Sequence, residues 1–336
     1  MMDLYGAVSV RLDKIDFPAL WPGFARGPFA LYDDEKVWLD GTTIPRDDRF
    51  LGNTTILLDG AWTAIWNAAG DEDPDELAAQ MVHEMFHSFQ QSRGDSRFPD
   101  DLELLRLGID ERERALRALE CAILAERRPS LPRLADARAR RRAANPALTR
   151  EAELAETAEG MAELMGMAAL FRIAPEKGER LRARHQARLG DAELLANTRR
   201  MAYFSGALLL AAAREAGLNP FHDVGREART LGEIILSQVP PEDAGDAPDV
   251  SEIARMQMRR ARERCLAFRD SAARIEGRGR ITGYDPMNMT RADNLLLCDR
   301  FVMLDGKLIE GPLLLEMAAD SKNEVAAIYM RKSVVS

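Results

Sequence analysis

A histidine–glutamate–histidine motif at residues 83–87 contains the side chains of this sequence that are best suited to metal chemistry. The motif reads H-E-M-F-H and holds two of the four histidines in a chain of 336 residues. Because residues four apart lie about one turn apart on a helix, His83 and His87 would project from the same face and could bind one metal ion. Glu84 directly follows the first histidine, which is where a general base for a metal-activated water is expected.

The flanking residues predict the helix that would present this motif. Asp73 is typical of an N-cap, Pro74 of the first helical position and Glu76 of the third. The apolar residues that follow recur with helical spacing and form one broad stripe: Leu77, Ala78, Met81, Val82, Met85, Phe86 and Phe89. The motif's polar side chains fall on the opposite face, so we expect one side of the helix to pack in the core while the other faces a cleft.

No further histidine is well placed to be the third ligand that a catalytic metal site needs. A longer zinc-binding pattern, H-E-x-x-H-x-x-G-x-x-H, is excluded because Gln90 and Arg93 stand where its glycine and last histidine would be. His185 lies in an arginine-rich stretch and His222 follows Asn-Pro-Phe. We expect both to be surface or loop histidines.

A carboxylate from a second helix is the remaining candidate for the third ligand. Residues 151–170 are rich in alanine, methionine and glutamate and therefore predict a helix. Glu156, Glu159 and Glu163 would share one face of it. The spacing alone leaves open which of the three would bind the metal.

Three segments resemble, in the same order, those of the gluzincin group of zinc metallopeptidases. After H-E-x-x-H, residues 159–163 (EGMAE) are similar to the E-G-x-A-[ED/Y] segment of that group. Residues 203–207 (YFSGA) are similar to the Y-x-K-G-A segment of its alanyl-aminopeptidase-like members, with Ser205 in place of the lysine. The resemblance covers roughly residues 74–213, with residues 93–150 unmatched.

This resemblance implies a role for each matched residue. Glu159 would be the third zinc ligand, with Glu156 as the fallback, and Glu163 would hold the first histidine from behind. Tyr203 would donate a hydrogen bond to the oxyanion of the reaction, with Tyr284 as the weaker alternative. The G-x-M-E-N segment that binds a substrate's free amine in the exopeptidases has no glutamate-containing counterpart here.

Composition limits the partners and the compartment. A net charge of −9 and a pI of about 5.2 give no electrostatic basis for binding nucleic acid. The three cysteines are scattered and do not form a disulfide pattern. Neither a signal-peptide pattern nor an apolar run of about 18 residues is evident, so we expect a soluble, cytoplasmic protein without a membrane partner. Arginines in residues 133–142 and 255–264 alternate with apolar residues, and we expect solvated helix faces there.

These patterns predict an α+β, zincin-like fold. Residues 1–237 would form the core, β-rich over 1–70 with an antiparallel or mixed sheet and helical over 71–237. Residues 238–250 would be a loop or linker, and 251–336 a helix (251–275) followed by a small antiparallel β region. Within the β-rich part, Asp59-Gly60 indicates a hairpin turn. Its first strand, Thr54–Leu58, is a candidate edge for pairing with an extended peptide.

The predicted activity is zinc-dependent hydrolysis of peptide bonds in a peptide or protein substrate, with Glu84 as the general base. Two alternatives remain open. One is a catalytically degenerate zincin-like protein that binds zinc or peptide, against which the intact Glu84 argues. The other is a zinc hydrolase of non-peptide amides, which no sequence pattern separates from a peptidase. No pattern specifies an oligomeric state.

Overall fold

The computed structural model describes residues 1–275, 277–319 and 321–331 and has a mixed α+β architecture. Near the N-terminus, the described residues form a five-stranded mixed sheet with the order β3-β2-β1-β5-β4. Strands β1 and β5 pair in parallel and the other neighbours are antiparallel. The strands are β1 (Phe29–Tyr32), β2 (Lys36–Leu39), β3 (Thr42–Pro45), β4 (Thr54–Leu58) and β5 (Ala61–Asn67).

The hairpin expected at Asp59-Gly60 is confirmed, and β4 lies at the edge of the sheet. Asp59 and Gly60 join β4 to β5 with φ angles of 48° and 85°, as a type I′ turn requires. The prediction that residues 1–70 are β-rich was incomplete, because two helices precede the sheet. The first of them buries Leu4, Tyr5, Val8 and Leu12, a helical spacing that its valines and glycine obscure.

Eleven α-helices are assigned within the described residues, and the long central one, α7, packs between α3 and α9. The helices are α1 (Met2–Leu12), α2 (Phe17–Leu20), α3 (Pro74–Ser92), α4 (Asp101–Leu107), α5 (Glu111–Leu124), α6 (Leu131–Ala144), α7 (Pro146–Ile173), α8 (Pro175–Leu189), α9 (Thr198–Glu215), α10 (Leu231–Leu236) and α11 (Ser251–Ser271). None of the helices in this part of the chain is both long and apolar enough to cross a membrane.

Helix α3, which carries the histidine motif, begins as its sequence predicts. The Asp73 carboxylate accepts hydrogen bonds from the backbone N–H groups of Asp75 (2.8 Å) and Glu76 (3.3 Å). Just beyond its end, Gly94 takes a φ of 68°, the left-handed conformation that glycine adopts at no steric cost. Both ends of the helix therefore lie where the sequence predicts them.

The helical core also contains a buried ion network that corrects one prediction. Arg138 and Arg141 on α6 are each only 1 % exposed, so residues 133–142 are not a solvated face throughout. Arg138 contacts Glu120 at 2.8 Å, and Arg141 contacts Glu113 at the same distance. The arginines of residues 255–264 are exposed as expected.

The C-terminal part is an antiparallel sheet of eight strands within the described residues, larger than the predicted β region. Its order is β11-β10-β7-β13-β12-β9-β8, and β6 also pairs with β13. Helix α11 ends at Ser271, before the predicted position 275, because Ala273–Ile275 pairs as β6. The strands are β6 (Ala273–Ile275), β7 (Gly279–Tyr284), β8 (Met289–Ala292), β9 (Leu295–Cys298), β10 (Phe301–Leu304), β11 (Lys307–Glu310), β12 (Leu313–Met317) and β13 (Glu324–Met330).

Candidate metal centre

His83, His87 and Glu159 form a buried group that could bind a metal ion. The Nε2 atoms of the two histidines lie 3.1 Å apart. Glu159 Oε2 lies 3.3 Å from Nε2 of His87 and 3.5 Å from Nε2 of His83. One ligand atom from each residue thus faces a common point, and all three side chains are buried.

The size of this triangle fits a small ion. A tetrahedral ion with ligand bonds of about 2.0–2.1 Å holds its ligand atoms about 3.3 Å apart. The three observed separations, 3.1, 3.3 and 3.5 Å, bracket that value. Calcium and magnesium prefer all-oxygen surroundings, whereas two of the three donors here are imidazole nitrogens. The residues present therefore fit a small divalent ion that accepts nitrogen ligands.

Close packing of α3 against α7 brings the ligands together. Glu159, Glu163 and Gly166 lie at helical spacing on the face of α7 that meets α3. A Cβ atom on Gly166 would lie 2.8 Å from the carbonyl oxygen of Ala79 and 3.5 Å from Cβ of His83. The absence of a side chain at this position lets the two helices approach closely enough for Glu159 to reach both histidines.

Each histidine is also held at its other ring nitrogen. Nδ1 of His83 lies 2.9 Å from Glu163 Oε2, and Nδ1 of His87 lies 2.8 Å from Gln90 Oε1. Such partners fix the tautomer and the ring orientation, leaving Nε2 as the free ligand atom. Glu163 thus contacts His83 on the side of the ring away from Nε2, as the resemblance implied. Gln90 makes the corresponding contact with His87 and was not a candidate from the sequence.

His185 is a buried partner of Glu163, contrary to the prediction that it is a surface or loop histidine. Its Nε2 lies 2.6 Å from Glu163 Oε1. Burial raises the pKa of Glu163, but its bonds to His185 and His83 outweigh that effect and lower the pKa to about 2. A helical stripe of Gly178, His185 and Leu189 is the sequence signal that could have revealed this burial. His222 does lie in a loop, away from the metal group.

The charges around the ligands favour a cation. Burial lowers the pKa of His83, but hydrogen bonds to Glu159 and Glu163 raise it to about 10. Burial raises the pKa of Glu159, yet the charges of Arg199 and His87 hold it well below its usual range. Glu159 is therefore ionised, and the carboxylates of Glu159 and Glu163 favour positive charge beside His83.

Glu84 and Tyr203 line the same cleft as His87 and Glu159. Burial raises the pKa of the Glu84 carboxyl, while His83 and His87 oppose the rise. The Tyr203 ring stacks on that of His83, with centroids 5.5 Å apart and planes 8° from parallel. Burial, assisted by Glu159, raises the pKa of Tyr203 well above its usual range, so the phenol stays neutral and can donate a hydrogen bond.

Glu156, the fallback ligand, lies away from the metal group. Its carboxylate accepts a hydrogen bond of 2.7 Å from Ser205 and contacts Nη2 of Arg138 at 2.9 Å. Ser205 occupies the position of the lysine in the gluzincin segment, and its hydroxyl donates this buried hydrogen bond to Glu156. Of the three candidate glutamates on α7, only Glu159 and Glu163 therefore reach the histidines.

Two charged residues that sequence reasoning missed also adjoin the ligands. Arg199 on α9 donates to Glu159 Oε1 at 2.5 Å, and its other terminal nitrogen lies 3.4 Å from Asp101 on α4. Burial raises the pKa of Asp101 to about 6, although Arg199 opposes the rise. No motif marks either residue, since their contacts join helices that are distant in sequence.

The site opens into a cleft of about 780 Å³ that three parts of the chain enclose. The N-terminal sheet contributes Thr54 and Thr55 of its edge strand β4, and the helices contribute His87, Glu159, Glu84 and Tyr203. The far wall comes from the C-terminal sheet and the turn before β8: Tyr284, Asp285, Pro286, Met287, Asn288, Arg300 and Phe301. The C-terminal region thus forms part of the cleft.

Comparison with known proteins gives no match for this chain, whether to a protein-family model, to a curated protein or to a solved structure.

Proposed function

We propose that the protein is a zinc metallopeptidase of the gluzincin type, with a zincin-like fold, in which His83, His87 and Glu159 hold the ion. The observation that carries the proposal is the 3.1–3.5 Å triangle of ligand atoms in a cleft that Glu84 also lines. Two imidazoles and one carboxylate are a ligand set that catalytic zinc sites use. When bound, a zinc ion would supply a Lewis acid and lower the pKa of a coordinated water from about 16 to about 7.

Glu84 is the general base in this proposal. Its carboxylate accepts a proton from the attacking water and later returns it to the leaving amine. Its raised pKa suits both transfers, because a base whose pKa lies nearer the working pH can also release its proton. A buried carboxylate in this position costs free energy of desolvation. A protein that only bound zinc or peptide would gain nothing from that cost.

Tyr203 stabilises the oxyanion that forms on the substrate carbonyl. It is a neutral donor on the cleft wall, next to His83. A well-placed donor of this kind contributes about 3–4 kcal/mol to the transition state. The parallel stacking on His83 limits the ring to one orientation, which reduces the rearrangement needed when the charge develops.

The edge strand β4 supports a peptide substrate over a smaller amide. In the described part of the chain β4 pairs only with β5, and Thr54 and Thr55 on β4 line the cleft. An extended peptide can add to such an edge through backbone hydrogen bonds. A compact amide would use little of this edge or of the opposite wall built by the C-terminal sheet.

A peptide-library digest with the Glu84→Gln variant tests this function. The substitution keeps the size of the side chain and removes its ability to accept the water's proton. The zinc-loaded parent should cut a subset of peptides, and Glu84→Gln should retain zinc while its rate falls by roughly 10²-fold or more. Glu76→Gln, an exposed glutamate in the first turn of the same helix, is the matched control and should cut like the parent.

Two results would contradict the proposal. If the zinc-loaded parent cuts no peptide in the library, the protein is not a peptidase, and the two alternatives are a binding protein and a hydrolase of non-peptide amides. Parent-like turnover by Glu84→Gln would remove Glu84 from the role of base.

A further inference from the structure

Arg199 is a largely buried cation that contacts the proposed third ligand on its outer oxygen. Its Nη2 donates to Glu159 Oε1 at 2.5 Å. The other oxygen, Oε2, is the one that faces the histidines, at 3.3 Å from His87 and 3.5 Å from His83. The two oxygens of one carboxylate thus have separate partners.

Asp101 holds Arg199 from the opposite side. Its Oδ1 lies 3.4 Å from Arg199 Nη1, and both side chains are largely buried, with 11 % and 16 % of their surfaces exposed. Bringing an arginine out of water costs several kcal/mol unless carboxylates compensate. Here Glu159 and Asp101 do so from the two ends of the guanidinium. The guanidinium therefore cannot swing away without leaving a buried carboxylate unpaired.

The contacts of Arg199 with Glu159 and Asp101 limit how Glu159 can bind a metal ion. With Oε1 engaged by Arg199, Glu159 has only Oε2 to offer to an ion between the histidines. A carboxylate that binds through both oxygens would occupy two positions on the ion. A carboxylate restricted to one leaves a fourth position of a tetrahedral ion free for water or substrate.

We propose that Arg199, supported by Asp101, is a positioning residue that restricts Glu159 to a single ligand oxygen and thereby keeps one metal position open. The inference rests on the proposed metal site and extends it beyond its three ligands. Lysine could not replace the arginine fully, because its single ammonium group lacks the two terminal nitrogens with which the guanidinium contacts Glu159 and Asp101.

The experiment measures metal binding and metal geometry, not turnover. Zinc affinity is determined by competition with a chelator for the parent and for Arg199→Met, which keeps length and removes the donors. Cobalt(II) is then substituted for zinc, since its visible absorption is stronger in four-coordinate than in five-coordinate sites. Arg200→Met, which alters the exposed neighbour on the same helix, is the matched control.

Arg199→Met should lose about 10–100-fold in zinc affinity, as happens when the outer partner of a ligand is removed. Its cobalt absorption should weaken as Glu159 turns to bind through both oxygens. Arg199→Lys should restore the affinity only in part, and Arg200→Met should match the parent. Asp101→Asn leaves the Arg199–Glu159 contact in place and should lose less zinc affinity than Arg199→Met. This variant tests the same role if Arg199→Met folds poorly.

The outcomes separate this inference from the function on which it rests. A parent that binds no metal would overturn both. A parent that binds zinc, with parent-like affinity and cobalt spectra in Arg199→Met and Asp101→Asn, would overturn the positioning role of Arg199 alone.

Discussion

Gly160 on α7 and Gly206 on α9 lie face to face where the two helices cross. A Cβ atom on Gly160 would lie 2.4 Å from the Cα of Gly206, and one on Gly206 would lie 2.5 Å from the carbonyl oxygen of Glu156. The backbones of the two helices are therefore in direct contact. Since Glu159 precedes one glycine and Tyr203 lies three residues before the other, this crossing sets the position of the tyrosine relative to Glu159.

Gly160→Ala should destabilise the fold and disturb the metal site together. The new methyl group would meet backbone atoms, which cannot turn aside as a flexible side chain can. Overpacking of this kind costs about 1–3 kcal/mol in the free energy of unfolding, measured by urea denaturation. Zinc affinity should fall as well, because α7 must shift and carry Glu159 with it.

The control for this substitution is Gly6→Ala on α1. A Cβ atom there would meet no atom within 4 Å, so only the helix propensity changes. Gly6→Ala should raise the free energy of unfolding by up to about 1 kcal/mol and leave zinc affinity unchanged. Equal stability of the two variants would show that the Gly160–Gly206 contact is not tight.

Glu163→Ala and Glu156→Ala should separate metal binding from stability. Glu163→Ala removes the partner of His83 and should lower zinc affinity by roughly 10–100-fold. Glu156→Ala removes a partner of the buried Arg138 and should lower the free energy of unfolding, with zinc affinity unchanged. The two assays are chelator competition and urea denaturation. Loss of zinc in Glu156→Ala, with full binding in Glu163→Ala, would reverse the assignment.

Tyr203→Phe should lower kcat and kcat/KM together, by roughly 10²-fold or more, because its hydroxyl acts mainly in the transition state. The stacking on His83 remains, so zinc content should not change. Tyr284→Phe alters the other candidate tyrosine of the cleft wall and should have the smaller effect. Steady-state kinetics on one cleaved peptide decide between them. Normal kinetics in Tyr203→Phe would transfer the role to Tyr284.

The spacing of residues along one helix predicted α3 and placed Glu156, Glu159 and Glu163 on a common face. The resemblance to the gluzincins then singled out Glu159, Glu163 and Tyr203, and the Asp59-Gly60 turn indicated the strand β4. Arg199, Asp101 and His185 could not be found in this way. Arg199 meets Glu159 across 40 residues, and His185 meets Glu163 across 22, on different helices. Their side chains look like ordinary surface polar groups until the packing of the helices is known.

The arginines of α6 illustrate the same limit. Alternation with alanine is typical of a solvated helix face, yet Arg138 and Arg141 are buried because α5 and α7 supply glutamates to meet them. The partners lie 15 or more residues away from them in the chain, so no local pattern distinguishes the buried arginines from partly exposed ones such as Arg140.

This ion network should make the stability depend on acidic pH. Burial raises the pKa of Glu113, but Arg117 and Arg141 outweigh burial and lower it to about 2. Since its pKa is higher in the unfolded chain, its stabilising contribution is complete above about pH 4.5 and is lost as the pH falls towards 2. Urea denaturation over this range should show the free energy of unfolding falling with pH.

Glu113→Gln should reduce that slope and lower the free energy of unfolding at neutral pH by about 3–5 kcal/mol, as expected when one partner of a buried ion pair is removed. Glu111→Gln, an exposed neighbour, is the control and should leave both unchanged. An unaltered slope in Glu113→Gln would assign the acid sensitivity to other carboxylates.

The metal content of the purified protein tests the central claim most directly. Protein prepared without added metal should carry about one zinc ion per chain, since three ligands converge on one point. The double variant His83→Ala/His87→Ala should fold and contain none, because it retains only Glu159 of the ligand set. A parent without zinc, or full zinc occupancy in the double variant, would contradict the account.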